Sequence, residues 1–223
     1  MIRSTISPSV FAPRACSTIV ITCTVTVIGL AGCASSPPTQ FYSLSAVAAQ
    51  HSDASTSSTS STSSTSSTSN GSDAMPLRVA AVHIPPSLDR REIVRLGAGD
   101  RLEISGEHRW GAPFDEMVQH VLTQDLVERL PSGDVVLPSG PAPKGTESVV
   151  VDLLQFQSDA GGAVVMQGSW SLLPPGQSSP TLVRDFRYED SAGAQNFGDQ
   201  AAAMSRLLGR LADDITRGAS EKH

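Results

Sequence analysis

The chain has 223 residues, with 16 Lys and Arg against 22 Asp and Glu, a net charge of −6. An acidic balance of this kind excludes broad electrostatic binding to nucleic acid or to anionic lipid headgroups. Three cysteines in this length also exclude a disulfide-built scaffold.

The first 32 residues contain no acidic residue and carry Arg3 and Arg14 ahead of an apolar run from about Ile19 to Leu30. A spanning helix needs about 20 apolar residues, and this run, diluted by Thr22, Thr24 and Thr26, is too short. A basic start, a short apolar core and a small-residue exit describe a secretory signal peptide over residues 1–32. The exit, Leu30-Ala31-Gly32-Cys33, resembles the lipobox of bacterial lipoproteins, whose cysteine thiol takes a thioether-linked lipid and becomes the new N-terminus. Cys33 is therefore the expected lipidation site. Cys16 and Cys23 would leave with the signal, so the mature chain has no second cysteine for a disulfide. Removing Arg3 and Arg14 from the 16 basic residues leaves 14 against 22 acidic ones, a net charge of about −8. With that charge the acyl chains must do the anchoring, at about 0.8 kcal/mol for each buried methylene.

Residues 33–39 read as the lipidated cysteine and a short spacer, and 40–218 as one domain, with 219–223 a flexible tail. Phe41, Tyr42 and Leu44 in "QFYSLS" are good strand formers. If this is the first strand of the fold, the domain lies within about 25 Å of the membrane. Residues 50–74 interrupt the domain. Within them Ser55 to Ser69 is entirely Ser and Thr, with Thr at every third position. Such a segment has no apolar surface to bury and is expected to be a disordered loop.

"LRVAAVHI", Leu77 to Ile84, reads as a strand stopped by Pro85 and Pro86. Glu92 to Leu96 and Arg101 to Ser105 flank "GAGD", a hairpin turn. A phosphate cradle is not supported, because the third glycine is missing and a strand follows. A helix then opens after Pro113, with Asp115 and Glu116 complementing its dipole. Phe114, Met117, Val118, Val121, Leu122, Leu126 and Leu130 share one face, and Pro131 ends it. Val135 to Leu137 is a candidate short strand. Glu147 to Gln157, Ala163 to Leu173 and Thr181 to Asp190 read as three consecutive strands. The last element is a helix from about Asp199 to Arg217, with Met204, Leu207, Leu208, Leu211 and Ile215 on one face and Gly218 past its end. This order predicts an α+β fold: a mostly antiparallel sheet with two amphipathic helices packed on it.

The search for chemistry is short. His51, His83, His108, His120 and His223 show no H-x-x-x-H or H-x-H spacing, which gives no metal site. There is no G-x-S-x-G, and no cysteine remains to act as a nucleophile. No enzyme activity and no cofactor are expected beyond the covalent lipid on Cys33. One stretch stands out, Pro85 to Glu116, in which arginines alternate with acidic residues around Trp110. Arg and Trp are enriched at binding hot spots. Asp89, Arg90, Arg91, Arg95 and Trp110 are thus a candidate partner interface. The same residues also fit a solvated hairpin edge with one aromatic closing the core.

The lipobox, the "YSL" about ten residues on, "VAAVHIPPSLDRREIVR", "LEISGEHRWGAPFDEMVQHVLTQDL" and the terminal amphipathic helix together resemble the ABC-type transport auxiliary lipoprotein family, of the PqiC or YmbA kind. The Ser/Thr repeat departs from that pattern as an insertion after the first strand. The resemblance implies a lipid-anchored periplasmic subunit of an MCE-type transport system. Its partners would be an MCE-domain tunnel protein and inner-membrane transporter components. Its cargo would be phospholipid or another hydrophobic molecule moved between the two membranes. It also implies that homo-oligomeric rings can form. Ala34 after the lipidated cysteine, where Asp resembles an inner-membrane retention signal, implies the periplasmic face of the outer membrane. The alternative is an outer-membrane assembly or structural lipoprotein with a different partner.

Overall fold

The computed structural model describes residues 37–48, 75–191 and 196–222. Cys33 and the Ser/Thr repeat lie outside these residues. The folded unit begins at Pro38. Its elements run β1 (Gln40–Tyr42), β2 (Leu77–His83), β3 (Glu92–Leu96), β4 (Leu102–Trp110), α1 (Phe114–Val127), β5 (Glu147–Ser158), β6 (Val164–Leu173), β7 (Leu182–Asp190) and α2 (Phe197–Ser220).

The strands form one seven-stranded mixed sheet of order β1-β4-β3-β5-β6-β7, with β2 also paired to β5. The long ladders β5–β6 and β6–β7 are antiparallel, so the α+β prediction of a mostly antiparallel sheet with two packed helices holds. β1 and β2 depart from it: each pairs in parallel, β1 with β4 and β2 with β5. β2 and β3 follow one another along the same edge of β5. His83 is level with Asp152, and Arg95 is level with Ser158. Twelve residues from β2 to β3 thus match six along β5, and the surplus leaves the sheet as the Pro85–Leu88 turn and the segment after it.

One sheet face carries the helices. Val149, Val151 and Leu153 of β5 alternate with more open Ser148, Val150 and Asp152, as a period of two requires. Trp170 and Leu172 of β6 and Phe186 of β7 join them in the core. From α1 come Phe114, Met117, Val118, Val121, Leu122 and Leu126, and from α2 Met204, Leu207, Leu208, Leu211 and Ile215. Burying each such side chain contributes about 1.5–3 kcal/mol. The apolar stripes therefore hold both helices to the sheet.

The helix ends differ from expectation. α1 stops at Val127, before Pro131, and Leu130 packs on the core from beyond the helix. α2 starts earlier than Asp199 because Asn196 caps it, its side chain accepting from the Asp199 N–H at 2.9 Å. At the other end Gly218 lies inside α2, correcting its assignment as a terminating glycine. A Cβ there would stand 2.5 Å from Cη2 of Trp170, so the glycine lets the last turn approach the indole. The expected tail from 219 is also corrected. Ala219 and Ser220 continue the helix, Glu221 pairs with Arg184, and Lys222 pairs with Glu147, which is 1% exposed. Val135 makes a single bridge to Leu77 in place of a strand.

The segment after β1 is clamped between the helices. Leu44 is 5% exposed, and its N–H donates to Sδ of Met117. The Ser45 N–H donates to Oγ of Ser205 at 3.1 Å, and the Val47 N–H to Oδ1 of Asp125 at 2.7 Å. Nη1 of Arg129 closes the clamp by donating to the Val47 carbonyl at 3.1 Å. "QFYSLS" is therefore part of the fold, and side chains of both helices satisfy its backbone.

Candidate docking surface

The candidate surface is built on the β3–β4 hairpin and the turn before it. Gly99 and Asp100 at its tip both have positive φ (68° and 58°), the pair that a tight hairpin turn requires. The Gly97 N–H donates to the Arg101 carbonyl at 2.7 Å and closes the loop. The hairpin meets the rest of the sheet sparingly, through Arg95 and Ser158 on one side and β1 on the other.

The five predicted interface residues divide. Leu88 is buried and pins the turn after β2, its N–H donating to the Pro85 carbonyl at 2.9 Å. Asp89, Arg90 and Arg91 follow it and are exposed. The Arg91 carbonyl accepts from the Trp110 N–H at 2.7 Å, and its Nη1 donates to the Gly111 carbonyl at 3.3 Å. These bonds hold the backbone while the Arg90 guanidinium stays at the surface.

Arg95 and Trp110 belong elsewhere. The Arg95 guanidinium lies 3.9 Å from the Phe197 ring centroid, and its Nε donates to Oε1 of buried Gln200 at 2.8 Å. Burial pulls this guanidinium below its ordinary value, while Glu103 and Tyr42 oppose the shift. Its role is to seat the first turn of α2 on β3, by a cation–π contact and a hydrogen bond. Trp110 is 3% exposed and stacks on Phe114 with centroids 5.1 Å apart. It presents no ring face to a partner, which corrects its place in the candidate interface. What remains accessible is the short Asp89–Arg91 segment.

An aromatic group that sequence reasoning missed lies beside Arg95. His108 stacks on Phe197 at 4.0 Å, and its Nδ1 is 3.0 Å from the Tyr42 hydroxyl. Tyr42 lies on β1 and Phe197 opens α2, so the cluster joins the first strand to the last helix. The separation of 155 positions hid it: none of these residues repeats at a local spacing. Buried charge is concentrated in a second place. Asp125 and Arg129 are almost fully buried and paired at 3.4 Å, and Arg129 also donates to Asp213 at 2.5 Å. Burial first, and Asp213 to a lesser degree, push the Asp125 carboxyl up to about 6, against the Val47 N–H and Arg129. This network locks the clamp on Val47. Among the described residues no cluster of His, Cys, Asp or Glu is placed to hold a metal, and no helix is long and apolar enough to cross a membrane.

Comparison with known proteins agrees with this architecture. A crystal structure of an uncharacterized protein superposes with a TM-score of 0.62 at 19% identity, covering 81% of this chain and 98% of that one. A second crystal structure, of a protein from Xanthomonas campestris, gives 0.52 at 18% identity over 64% of this chain and 81% of that one. These likenesses concern the fold. In sequence, the intermembrane transport lipoproteins PqiC of Escherichia coli K12 and of Shigella flexneri are each 24% identical over 141 residues, 63% of this chain and 73% of theirs. The family model described as the ABC-type transport auxiliary lipoprotein component matches residues 42–216. That span runs from the last residue of β1 almost to the end of α2, across the inserted repeat, and the chain belongs to this family.

Proposed function

We propose that the chain is an auxiliary lipoprotein of an intermembrane transport system, anchored through lipid on Cys33 at the periplasmic face of the outer membrane. In the finer reading it docks an MCE-type periplasmic tunnel there, while inner-membrane components drive phospholipid or another hydrophobic molecule between the membranes. The observation that carries this reading is the family match over 42–216, joined to a lipobox whose cysteine stands seven residues before β1. The fold supports an accessory role. Its core is packed, the buried Asp125–Arg129 pair serves the clamp after β1, and Arg90 and Arg91 are presented on a short pinned turn. A protein that holds two larger bodies together needs a rigid frame and a presented surface, and these residues supply both.

The test has two arms. Metabolic labelling with an alkyne fatty acid should mark the native chain and leave Cys33→Ser unmarked; equal labelling removes the anchor. Isolation of the native lipoprotein from detergent-solubilised membranes should bring an MCE-domain protein with it. Recovery of a different envelope assembly in its place would favour the structural-lipoprotein alternative.

A further inference from the structure

β1 fixes the direction from which the chain arrives. Gln40, Phe41 and Tyr42 pair in parallel with His108, Arg109 and Trp110. Because the pairing is parallel, the chain upstream of Gln40 comes from the side on which β4 begins. That side is the tip of the β3–β4 hairpin. Six residues (34–39) separate Cys33 from Gln40, a reach of at most about 25 Å. From His108 back to Leu102 the strand covers about 20 Å. A lipid on Cys33 can therefore reach this tip.

The residues on this edge suit such a neighbour. Leu102 and Ile104, two apart at the start of β4, are 43% and 49% exposed. One exposed apolar side chain is ordinary. Two together on the part of β4 that β1 leaves unpaired are not, since an open apolar edge invites pairing with other chains. The ion pair of Arg101 with Glu103 at 3.9 Å stands beside them, so the edge combines apolar side chains with balanced charge. That composition suits the boundary between headgroups and acyl chains and does not depend on anionic lipid. Asp89–Arg91 lies at the other end of the same ladder, where Glu92 pairs with Arg109 and the Arg91 carbonyl accepts from Trp110.

We propose that the tip of the β3–β4 hairpin, through Leu102 and Ile104, rests in the headgroup region of the bilayer that holds the Cys33 lipid, with Arg90 and Arg91 turned to the aqueous side. The apolar contacts are a second attachment beside the acyl chains. They set the orientation of the domain, and they present the arginine turn to whatever approaches from the periplasm. This inference rests on the lipidation of Cys33 proposed above.

The experiment uses the full acylated lipoprotein in phosphatidylethanolamine/phosphatidylglycerol nanodiscs, where both faces are open to solvent. Leu102→Cys, Ile104→Cys and, as reference, Arg90→Cys are each labelled with an environment-sensitive fluorophore, Cys33 itself being blocked by lipid. All three positions are exposed, so the labels need not disturb the core. Labels at 102 and 104 should emit to the blue of the label at 90. They should lose intensity with doxyl-bearing lipid and resist aqueous iodide, while the label at 90 does the reverse. Labels at 102 and 104 as open to iodide as the one at 90 overturn the proposal. So do labels shielded from both quenchers, which would mean that protein covers the edge. A chain that fails to enter the nanodiscs refutes the anchor itself and this inference with it. A chain that enters but shows either of the other patterns refutes the inference alone.

Discussion

The two ends of the long β5 strand are built in opposite ways. At its start, Glu147 is buried and paired with Lys222, Arg184 pairs with Glu221, and Gly218 lets α2 close on Trp170 and Leu182. At its end, Ser158 meets only Arg95 of the hairpin, and Leu102 and Ile104 beyond it are half exposed. The first end spends its charges and its small residue on closure. The second leaves side chains available. Stability and presentation are thus separated along one strand, and a substitution should show which end it belongs to.

The largest effect should come from Trp110→Ala. Trp110 is the last residue of the exposed strand β4, yet its own ring is buried on Phe114. Its loss should cost about 3–5 kcal/mol in chemical denaturation. A cost within about 0.5 kcal/mol, the range of ordinary surface changes, would mean that the hairpin is as loose at its base as at its tip.

Asp125 gives the next effect, read against pH. Its carboxyl is held at about 6 in the fold, above the ordinary 3.8. The native state therefore binds this proton more tightly than the unfolded chain does. The contribution is full below about pH 4, is lost as pH rises through about 6, and amounts to at most about 3 kcal/mol. Asp125→Asn should flatten the wild-type fall in stability between pH 4 and 6. Parallel curves for the two proteins would show that the clamp on Val47 does not desolvate this group.

Gly218→Ala sharpens the picture of the packed end. Alanine favours a helix over glycine by about 1 kcal/mol, but the added methyl meets the indole of Trp170. Overpacking of this kind costs about 1–3 kcal/mol, so a net loss of thermal stability is expected. A gain would show that α2 can lift from β6 at no cost. The smallest effect belongs to Arg90→Glu and Arg91→Glu. Exposed charges contribute about 0–1 kcal/mol to folding, so melting should hardly change. Loss of an interfacial arginine can weaken binding by about 2 kcal/mol or more, so co-isolation of the transport partner should drop. Unchanged melting with unchanged co-isolation would move the docking surface away from this turn.

Much of the fold was legible in the residues. The stripes Met117–Val121–Leu126 and Met204–Leu208–Leu211–Ile215 repeat at helical spacing, and "GAGD" between two apolar alternations marks its hairpin. The parallel partners of β1 and β2 were not legible, because period two tells which face a side chain takes and not which strand lies beside it. Arg95 and Trp110 failed for a related reason. A guanidinium or an indole reads the same whether its neighbour is water, a partner or Phe197 and Phe114 folded in from elsewhere. Gly218 carried a signal that was available. It stands three positions after Ile215, in line with the apolar stripe, so its place on the packed face could have been read before its reputation as a helix stop.

β1 belongs to the sheet and the segment after it is clamped from Leu44 to Val47, so the inserted Ser/Thr repeat comes after the first fixed point of the chain. The spacer from Cys33 to Gln40 comes before it. If Cys33 carries the lipid proposed above, only the spacer acts as a ruler: each residue added there could raise the domain by up to about 3.6 Å above that lipid. The repeat can gain or lose its three-residue units without altering that height.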